Sequence, residues 1–282
     1  MLSLFTYLSL SALTLVPSEP IDSFPLPYVP ASLTEPSERA ELIVSYFFNN
    51  AILPDSPSES LETAIVNFST VAHLASEEAR ATAAKTLFGR ATTPETAETL
   101  RNTLEKYLFN GDSPYLNLDL FITFLEADKP SIRRDGLLNL ISANRSGSTA
   151  IDIPLLTSTG KRTYLREIAN IAPLTLLIFF DPECDHCREL TLNMSRDSNL
   201  ADAVKNGKIT ILAVTPDAES PEVPAYFPKE WIVSVDDNGA INENDLYYIP
   251  SYPEVYVIER DNMKVVARGL RTIESIHDSI GF

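Results

Sequence analysis

The sequence predicts an α+β protein of two domains, with an all-helical N-terminal domain followed by an α/β sandwich around a central mixed sheet. Apolar residues recur at helical spacing from residue 37 to residue 143. From residue 144 onward, apolar runs typical of strands alternate with helical segments. The chain has 282 residues, of which 44% are hydrophobic, so it is long enough to form two cores.

Helices are predicted throughout the N-terminal domain, residues 37–143. The first begins at Ser37, the third ends at Gly89, and the fourth follows Pro94 and closes at Asn110 and Gly111. The remaining predicted helices cover residues 61–72, 118–125 and 134–141. Because no cluster of histidines, cysteines or paired carboxylates occurs here, we expect a packing or spacer domain and not a catalytic one.

Strands dominate the C-terminal domain, residues 144–282. A hairpin is predicted over residues 151–165, and the two core strands cover residues 174–180 and 209–214. A proline-rich insertion, residues 216–248, contains the apolar run 232–235. Two late strands, residues 255–258 and 264–267, and a last helix, residues 272–280, complete the predicted sandwich.

Residues 1–16 form a short apolar stretch that is typical of a signal-peptide core. We expect a signal peptide over residues 1–20 and a proline-rich linker over residues 21–36, although no Lys or Arg precedes Arg39. No cysteine that could carry a lipid lies near this end. The mature chain is therefore expected to be periplasmic or secreted and to have no stable membrane span.

The formal net charge of the chain is −17 at pH 7. Phosphate-rich surfaces repel such a charge, so neither a nucleic acid nor an anionic membrane surface is expected as a partner.

The two cysteines of the chain, Cys184 and Cys187, are three positions apart and directly follow an apolar run. A strand that passes into a helix here would place the first sulfur at the helix N-terminus, where unpaired N–H groups favour a thiolate. Close to the sulfurs, a protonated His186 would favour that thiolate, whereas Asp185 and Glu183 would disfavour it. We therefore expect a redox-active dithiol of intermediate potential.

Residues 179–187 together with residues 252–258 resemble the thioredoxin-like thiol–disulfide oxidoreductases of Gram-negative bacteria. This resemblance covers about residues 145–282 and implies a thioredoxin-like α/β sandwich. Upstream, residues 107–115 and 144–147 resemble an uncharacterised helical module, a domain of unknown function, that precedes such domains.

The resemblance implies a mechanism in which Cys184 attacks a partner disulfide and Cys187 resolves the mixed disulfide. It also implies that Pro253 follows a cis peptide bond and that Tyr252 offers backbone groups to an extended substrate. Two other possibilities are that Pro250 has this role or that Pro253 only begins an edge strand. The implied partners are protein thiols and disulfides of the cell envelope and an unidentified electron donor or acceptor protein, with no cofactor.

Two positions depart from thioredoxin itself, which has a tryptophan immediately before its first cysteine and a buried aspartate six residues before it. Here these positions are Glu183 and Ile178, so the proton acceptor for Cys187 is left open among Glu183, His186 and water.

A C-x-x-C pair can also bind a metal or form a structural disulfide. A structural zinc site needs four ligands, and the chain offers no second cysteine pair, so no metal is expected. The remaining alternative is a non-enzymatic thioredoxin-fold scaffold that contains a structural disulfide.

Overall fold

The computed structural model describes residues 23–216 and 221–281. The predicted signal peptide, residues 1–20, lies outside these ranges. Across both ranges, every helix is either too short or too polar to cross a lipid bilayer.

The N-terminal part is helical, as predicted, and residues 36–141 are called the helical module below. Its helices are α1 (Pro36–Tyr46), α2 (Glu59–Ala72), α3 (Glu77–Arg90), α4 (Pro94–Leu104), α5 (Leu118–Ala127) and α6 (Ile132–Ile141). Most are preceded by an N-cap residue whose side-chain oxygen accepts the backbone N–H of the residue three positions later. This hydrogen bond satisfies one unpaired donor of the first turn. The residues that do so are Ser58, Ser76, Thr93, Asn117 and Ser131.

Phenylalanine rings form the centre of the helical module. Phe68 of α2 and Phe124 of α5 are fully buried, and their ring centroids are 5.6 Å apart. Phe48, just after α1, lies 4.9 Å from Phe68. Burial of such rings stabilises the module by their large apolar area and by edge-to-face contacts.

Two helix ends differ from the prediction. Helix α1 begins at Pro36, one residue early, because proline is tolerated in the first turn of a helix. Helix α3 passes through Gly89 to Arg90, since nothing forces a left-handed backbone at that glycine. Helix α4 continues beyond Leu104 as a π-helical turn, Glu105–Phe109, whose C-cap is Asn110, where the helix was predicted to close.

The C-terminal part is built on a seven-stranded mixed sheet, which confirms the predicted fold class. Its strands are β1 (Pro154–Thr157), β2 (Arg162–Tyr164), β3 (Leu174–Phe179), β4 (Ile209–Thr215), β5 (Ile232–Asp236), β6 (Glu254–Glu259) and β7 (Lys264–Arg268). Their spatial order is β2-β1-β5-β4-β3-β6-β7. The pairs β3–β4 and β4–β5 are parallel, and the other pairs are antiparallel.

Helices cover both faces of this sheet. They are α7 (Leu165–Ala169), α8 (Asp185–Arg196), α9 (Ser198–Lys205), α10 (Ala240–Glu243) and α11 (Ile273–Ile280). Helices α8, α9 and α11 bury side chains in the same core as Ile178 and Val255. Helices α7 and α10 pack into the core of the opposite face, around Phe179 and Tyr256. The arrangement is an α/β sandwich.

Two parts of the sheet region differ from the prediction. The run 232–235, expected inside an insertion, forms β5, which pairs with β4 in parallel and with β1 in antiparallel orientation. Leu165, expected at the end of a hairpin strand, begins α7. Local apolar pattern shows neither the partners of a strand nor the point at which a short helix replaces it.

The helical module packs against the sheet region through aromatic and polar contacts. The rings of Phe109 and Tyr248 stack with centroids 5.6 Å apart and an interplanar angle of 2°. Asn144, between the two parts, donates its side-chain N–H to the carbonyl oxygen of Leu246 at 2.7 Å. Its Oδ1 accepts the N–H of Ile151 at 2.6 Å.

Candidate dithiol site

Cys184 lies where the chain passes from β3 into α8, at the N-terminus of the helix. Its Sγ accepts the backbone N–H of Cys187 at 3.1 Å, so it acts as the N-cap of α8. Its own N–H donates to the carbonyl oxygen of Asp181 at 3.1 Å, which fixes the turn. Cys184 is partly exposed, and its sulfur lies against the backbone N–H groups of the first turn of α8.

Cys187 is one helical turn further on and is fully buried. It packs in the core with Ile178, Phe180 and Val255. Burial raises the pKa of the Cys187 thiol well above its usual value, and the neighbouring sulfur of Cys184 raises it further. Cys187 is therefore a thiol at neutral pH and is shielded from solvent.

The Tyr252–Pro253 peptide bond is cis and lies beside the dithiol. The Sγ of Cys184 lies 3.7 Å from the carbonyl oxygen of Tyr252, within reach of a weak S–H donor. The structure thus brings Cys184, Cys187, Tyr252 and Pro253 together in one site, and Pro250 lies outside this cis bond.

The three residues expected to adjust the redox potential lie on the exposed rim of the site. Asp185 accepts a hydrogen bond from Arg188 at 2.9 Å, so part of its charge is balanced by that partner. Among the described residues, no hydrogen bond joins the side chain of Glu183 or His186 to either sulfur. Any effect of these side chains on Cys184 acts through space and through solvent, which screens it.

Two residues that lie close to the dithiol were not predicted as site residues from the sequence. A hydrogen bond with the backbone of Asp181 lowers the pKa of Cys187, and the charge of the Asp181 carboxylate acts more weakly in the opposite direction. Burial raises the pKa of the Tyr226 phenol, and charge on Cys187 adds to this effect. Asp181 precedes the cysteines within the predicted motif, whereas Tyr226 belongs to the proline-rich segment and no local pattern connects it to the site.

A groove lies beside the dithiol and is called the dithiol groove below; neither cysteine lines it, but Tyr252, whose carbonyl oxygen is 3.7 Å from Sγ of Cys184, does. It has a volume of about 880 Å³. One wall is α8, where His186, Glu189 and Asn193 lie on the same helix face. Tyr252 and Pro253 lie between this wall and the opposite one. The opposite wall is the 111–114 loop (Gly111, Asp112, Ser113 and Pro114) of the helical module, which the sequence did not connect with the site.

Glu254, the residue after the cis proline, is a fully buried acid. Burial raises its pKa to about 7, although Arg271 and Arg268 nearby act in the opposite direction and Asp119 adds to the rise. The nearest atoms of Arg271 and Glu254 are 3.9 Å apart. Arg271 also donates a hydrogen bond to the hydroxyl of Ser251 at 2.6 Å. This bond supports the segment that contains the cis peptide bond.

Within the part of the chain that the structure describes, no group of three or more His, Cys, Asp or Glu side chains is arranged to bind a metal ion.

Comparison with known proteins identifies relatives of both parts. Residues 7–132 match the model of a family described as a domain of unknown function (DUF5106). A thioredoxin-like protein from Bacteroides caccae is 23% identical, with a TM-score of 0.76, and the match covers 92% of this chain and 98% of that chain. No curated protein matches the sequence.

Two further solved structures match only about half of this chain. A conserved protein of unknown function from Bacteroides fragilis is 26% identical, with a TM-score of 0.42, and the match covers 48% of this chain and 97% of that one. The thioredoxin domain of a thiol-disulfide oxidoreductase from Bacteroides vulgatus is 18% identical, with a TM-score of 0.37, and the match covers 48% and 95% of the two chains.

The fold and the near full-length match define a protein with a thioredoxin-like fold behind an N-terminal helical module. The match to the Bacteroides caccae protein extends over almost all of both chains, so this protein shares the fold of its helical part as well.

Proposed function

We propose that this protein is a thiol–disulfide oxidoreductase that exchanges disulfides with exported proteins through Cys184 and Cys187. The arrangement of the two sulfurs carries this proposal. One sulfur is accessible at a helix N-terminus and lies 3.7 Å from the carbonyl oxygen of Tyr252, and the other is buried one turn behind it. A purely structural disulfide would close a loop of only a few residues, which contributes little to stability.

The reaction requires two successive exchanges. The Cys184 thiolate attacks one sulfur of a substrate disulfide, which forms a mixed disulfide and releases the first substrate thiolate. Cys187, after losing its proton, then attacks the Cys184 sulfur, which forms the Cys184–Cys187 disulfide and releases the second substrate thiolate. The protein dithiol loses two electrons and two protons, and the substrate disulfide gains them. In the reverse direction the same steps oxidise a substrate dithiol.

The first test is equilibration of the dithiol with a glutathione series, read as the mass shift after thiol alkylation. We expect a potential between about −120 and −270 mV, the range of known exchange proteins. The Cys187→Ala variant is expected to accumulate a mixed disulfide with a substrate, and the matched Cys184→Ala variant is expected to accumulate none. A pair that resists both reduction and alkylation would instead make the protein a scaffold with a structural disulfide.

A further inference from the structure

The dithiol groove is formed by both parts of the chain. The wall opposite α8 is the 111–114 loop of the helical module, so the thioredoxin-like part alone would have an open surface beside Pro253. The role of this second wall in substrate choice rests on the proposed function.

Close contacts hold the 111–114 loop against the segment that precedes the cis bond. A Cβ atom at Gly111 would lie 2.3 Å from the carbonyl oxygen of Pro250, so the two backbones are closer than any other residue would allow. Beside it, the Phe109 ring stacks on the Tyr248 ring. The buried Ser113 donates its hydroxyl to the carbonyl oxygen of Tyr107 at 2.6 Å. The loop is thus a fixed wall beside the cis bond.

The volume of the groove is suited to a short segment of chain. Its volume of about 880 Å³ lies in the range of small-ligand sites and is too small for a folded domain. A substrate segment paired with the backbone at Tyr252 would have its cysteine at Cys184. Residues next to that cysteine would then lie between the 111–114 loop and α8.

Acidic side chains predominate among the charged groups of the groove. Asp112 on the loop, Glu189 on α8 and Glu274 on α11 are exposed, and within residues 23–216 and 221–281 no ion pair engages them. On the basic side, Arg271 is already held by Ser251 and Glu254, which leaves Arg196 as the exposed cation of the lining. The free charge in the groove is therefore negative and attracts cations.

We propose that the helical module supplies the second wall of the substrate site and that the groove selects extended substrate segments with a basic side chain next to the reactive cysteine. Asp112 is the specificity residue on the module wall, and Glu189 is the matching acid on α8. The exchange itself is that of the proposed function: the protein dithiol is oxidised and the peptide disulfide is reduced.

Two synthetic peptide disulfides that differ only in the residue next to cysteine, Lys in one and Glu in the other, test this proposal. The reduced full-length protein is mixed with each peptide at low ionic strength, and the two second-order rate constants give a Lys-to-Glu ratio. Uncharged 2-hydroxyethyl disulfide is measured as well, because its reduction reports on the dithiol without the charges of the groove.

The wild-type ratio is expected to exceed 1 by severalfold and to fall towards 1 in 0.5 M NaCl, where exposed charges are screened. Asp112→Asn and Glu189→Gln are each expected to lower the ratio by roughly two- to fivefold, the effect of one exposed charge pair. The control, Glu78→Gln, removes an exposed acid of α3 outside the groove and is expected to leave the ratio unchanged.

Each contrary outcome has a distinct meaning. A wild-type ratio at or below 1, with normal reduction of 2-hydroxyethyl disulfide, overturns the basic preference and leaves the proposed function standing. A ratio above 1 that Asp112→Asn does not change overturns the role of the helical module. Failure to reduce 2-hydroxyethyl disulfide overturns the proposed function, and this inference with it.

Discussion

The Arg268 side chain donates from Nε to Oδ1 of Asp119 at 2.9 Å, which joins the last strand of the sheet to α5 of the helical module. The Arg268 side chain is 2% exposed, and that of Asp119 is 33% exposed. A second guanidinium nitrogen of Arg268 donates to the carbonyl oxygen of Ala143 at 3.1 Å. The charge of Arg268 is thus buried at the contact between the two parts, where Asp119 is its ion-pair partner and Glu254 lies nearby.

Asp119→Asn is expected to destabilise the protein because it leaves the buried Arg268 charge without its partner. Since Asp119 itself is partly exposed, we expect a loss of about 1–3 kcal/mol in the free energy of unfolding, less than for a fully buried pair. Urea unfolding followed by circular dichroism measures this loss.

The exposed pair formed by Arg145 and Glu126 provides the control for that experiment. Its side chains are 44% and 53% exposed, with their charged atoms 2.8 Å apart. Glu126→Gln is expected to change the free energy of unfolding by less than about 1 kcal/mol. Equal losses of unfolding free energy in the two variants would show that the Arg268 contact does not stabilise the packing of the helical module against the sheet region.

Glu254 is expected to make stability depend on pH in a defined direction. Its pKa is raised from 4.5 to about 7 in the folded protein, so between these values the unfolded chain loses a proton that the folded chain keeps. Stability is therefore lost as pH rises from about 4.5 to about 7 and changes no further above that. The loss from this one group is up to roughly 3 kcal/mol.

The Glu254→Gln variant isolates this contribution, since other groups titrate in both proteins. We expect the free energy of unfolding of the variant, relative to wild type, to increase by up to roughly 3 kcal/mol between pH 5 and pH 8. Urea unfolding at both pH values measures the difference. Parallel pH profiles of the two proteins would show that Glu254 titrates normally despite its burial.

Most of the fold follows from local patterns in the sequence. Helical spacing places α2 and α5 to within two residues, because each has a regular apolar face and a polar N-cap. The start of α8 was predicted from the apolar strand and the C-x-x-C motif that follows it. The place of strand β5 in the sheet could not be predicted from its proline-rich surroundings. Its pairing with β1 and β4 depends on residues that are distant in sequence.

The parts of the site differ in how they could be predicted. The C-x-x-C spacing could be recognised because the two cysteines are neighbours in sequence, whereas Tyr252 and Pro253, 68 and 69 positions after Cys184, were assigned only through the family resemblance. Asp112 and Tyr226 lie far along the chain from the cysteines and reach the site only through tertiary packing. Local sequence patterns carry no information about such contacts.

The buried Cys187 is expected to make the second exchange step depend on pH. Burial raises its pKa well above the usual value, so only a small fraction is thiolate near neutral pH, and that fraction grows about tenfold per pH unit. The lifetime of a mixed disulfide on Cys184 should therefore shorten about tenfold per unit from pH 6 to pH 8. Acid quenching followed by alkylation and mass spectrometry measures this lifetime.

Cys187→Ala is the control, because its mixed disulfide should persist at every pH. A lifetime in the wild-type protein that does not vary with pH would contradict this prediction and would indicate a local proton acceptor. Asp181 is the candidate, since its carboxylate interacts with Cys187. In that case Asp181→Asn should restore the dependence on pH.

Gly111→Ala tests whether close packing of the helical module shapes the site. The added methyl carbon would meet the Pro250 carbonyl oxygen at 2.3 Å and its carbon at 3.1 Å, and because these are backbone atoms the loop or the Pro250 segment must shift. We expect a loss of about 1–3 kcal/mol in the free energy of unfolding.

Gly136→Ala in α6 is the matched control, because a Cβ there would meet nothing within 4 Å. Alanine is favoured over glycine inside a helix, so this variant should gain about 0.5–1 kcal/mol. If Gly111→Ala behaves like Gly136→Ala, the loop does not press on the Pro250 segment. If Gly111→Ala is instead destabilised and its Lys-to-Glu ratio in the peptide assay falls towards 1, the contact at Pro250 both stabilises the packing of the helical module and shapes the dithiol groove.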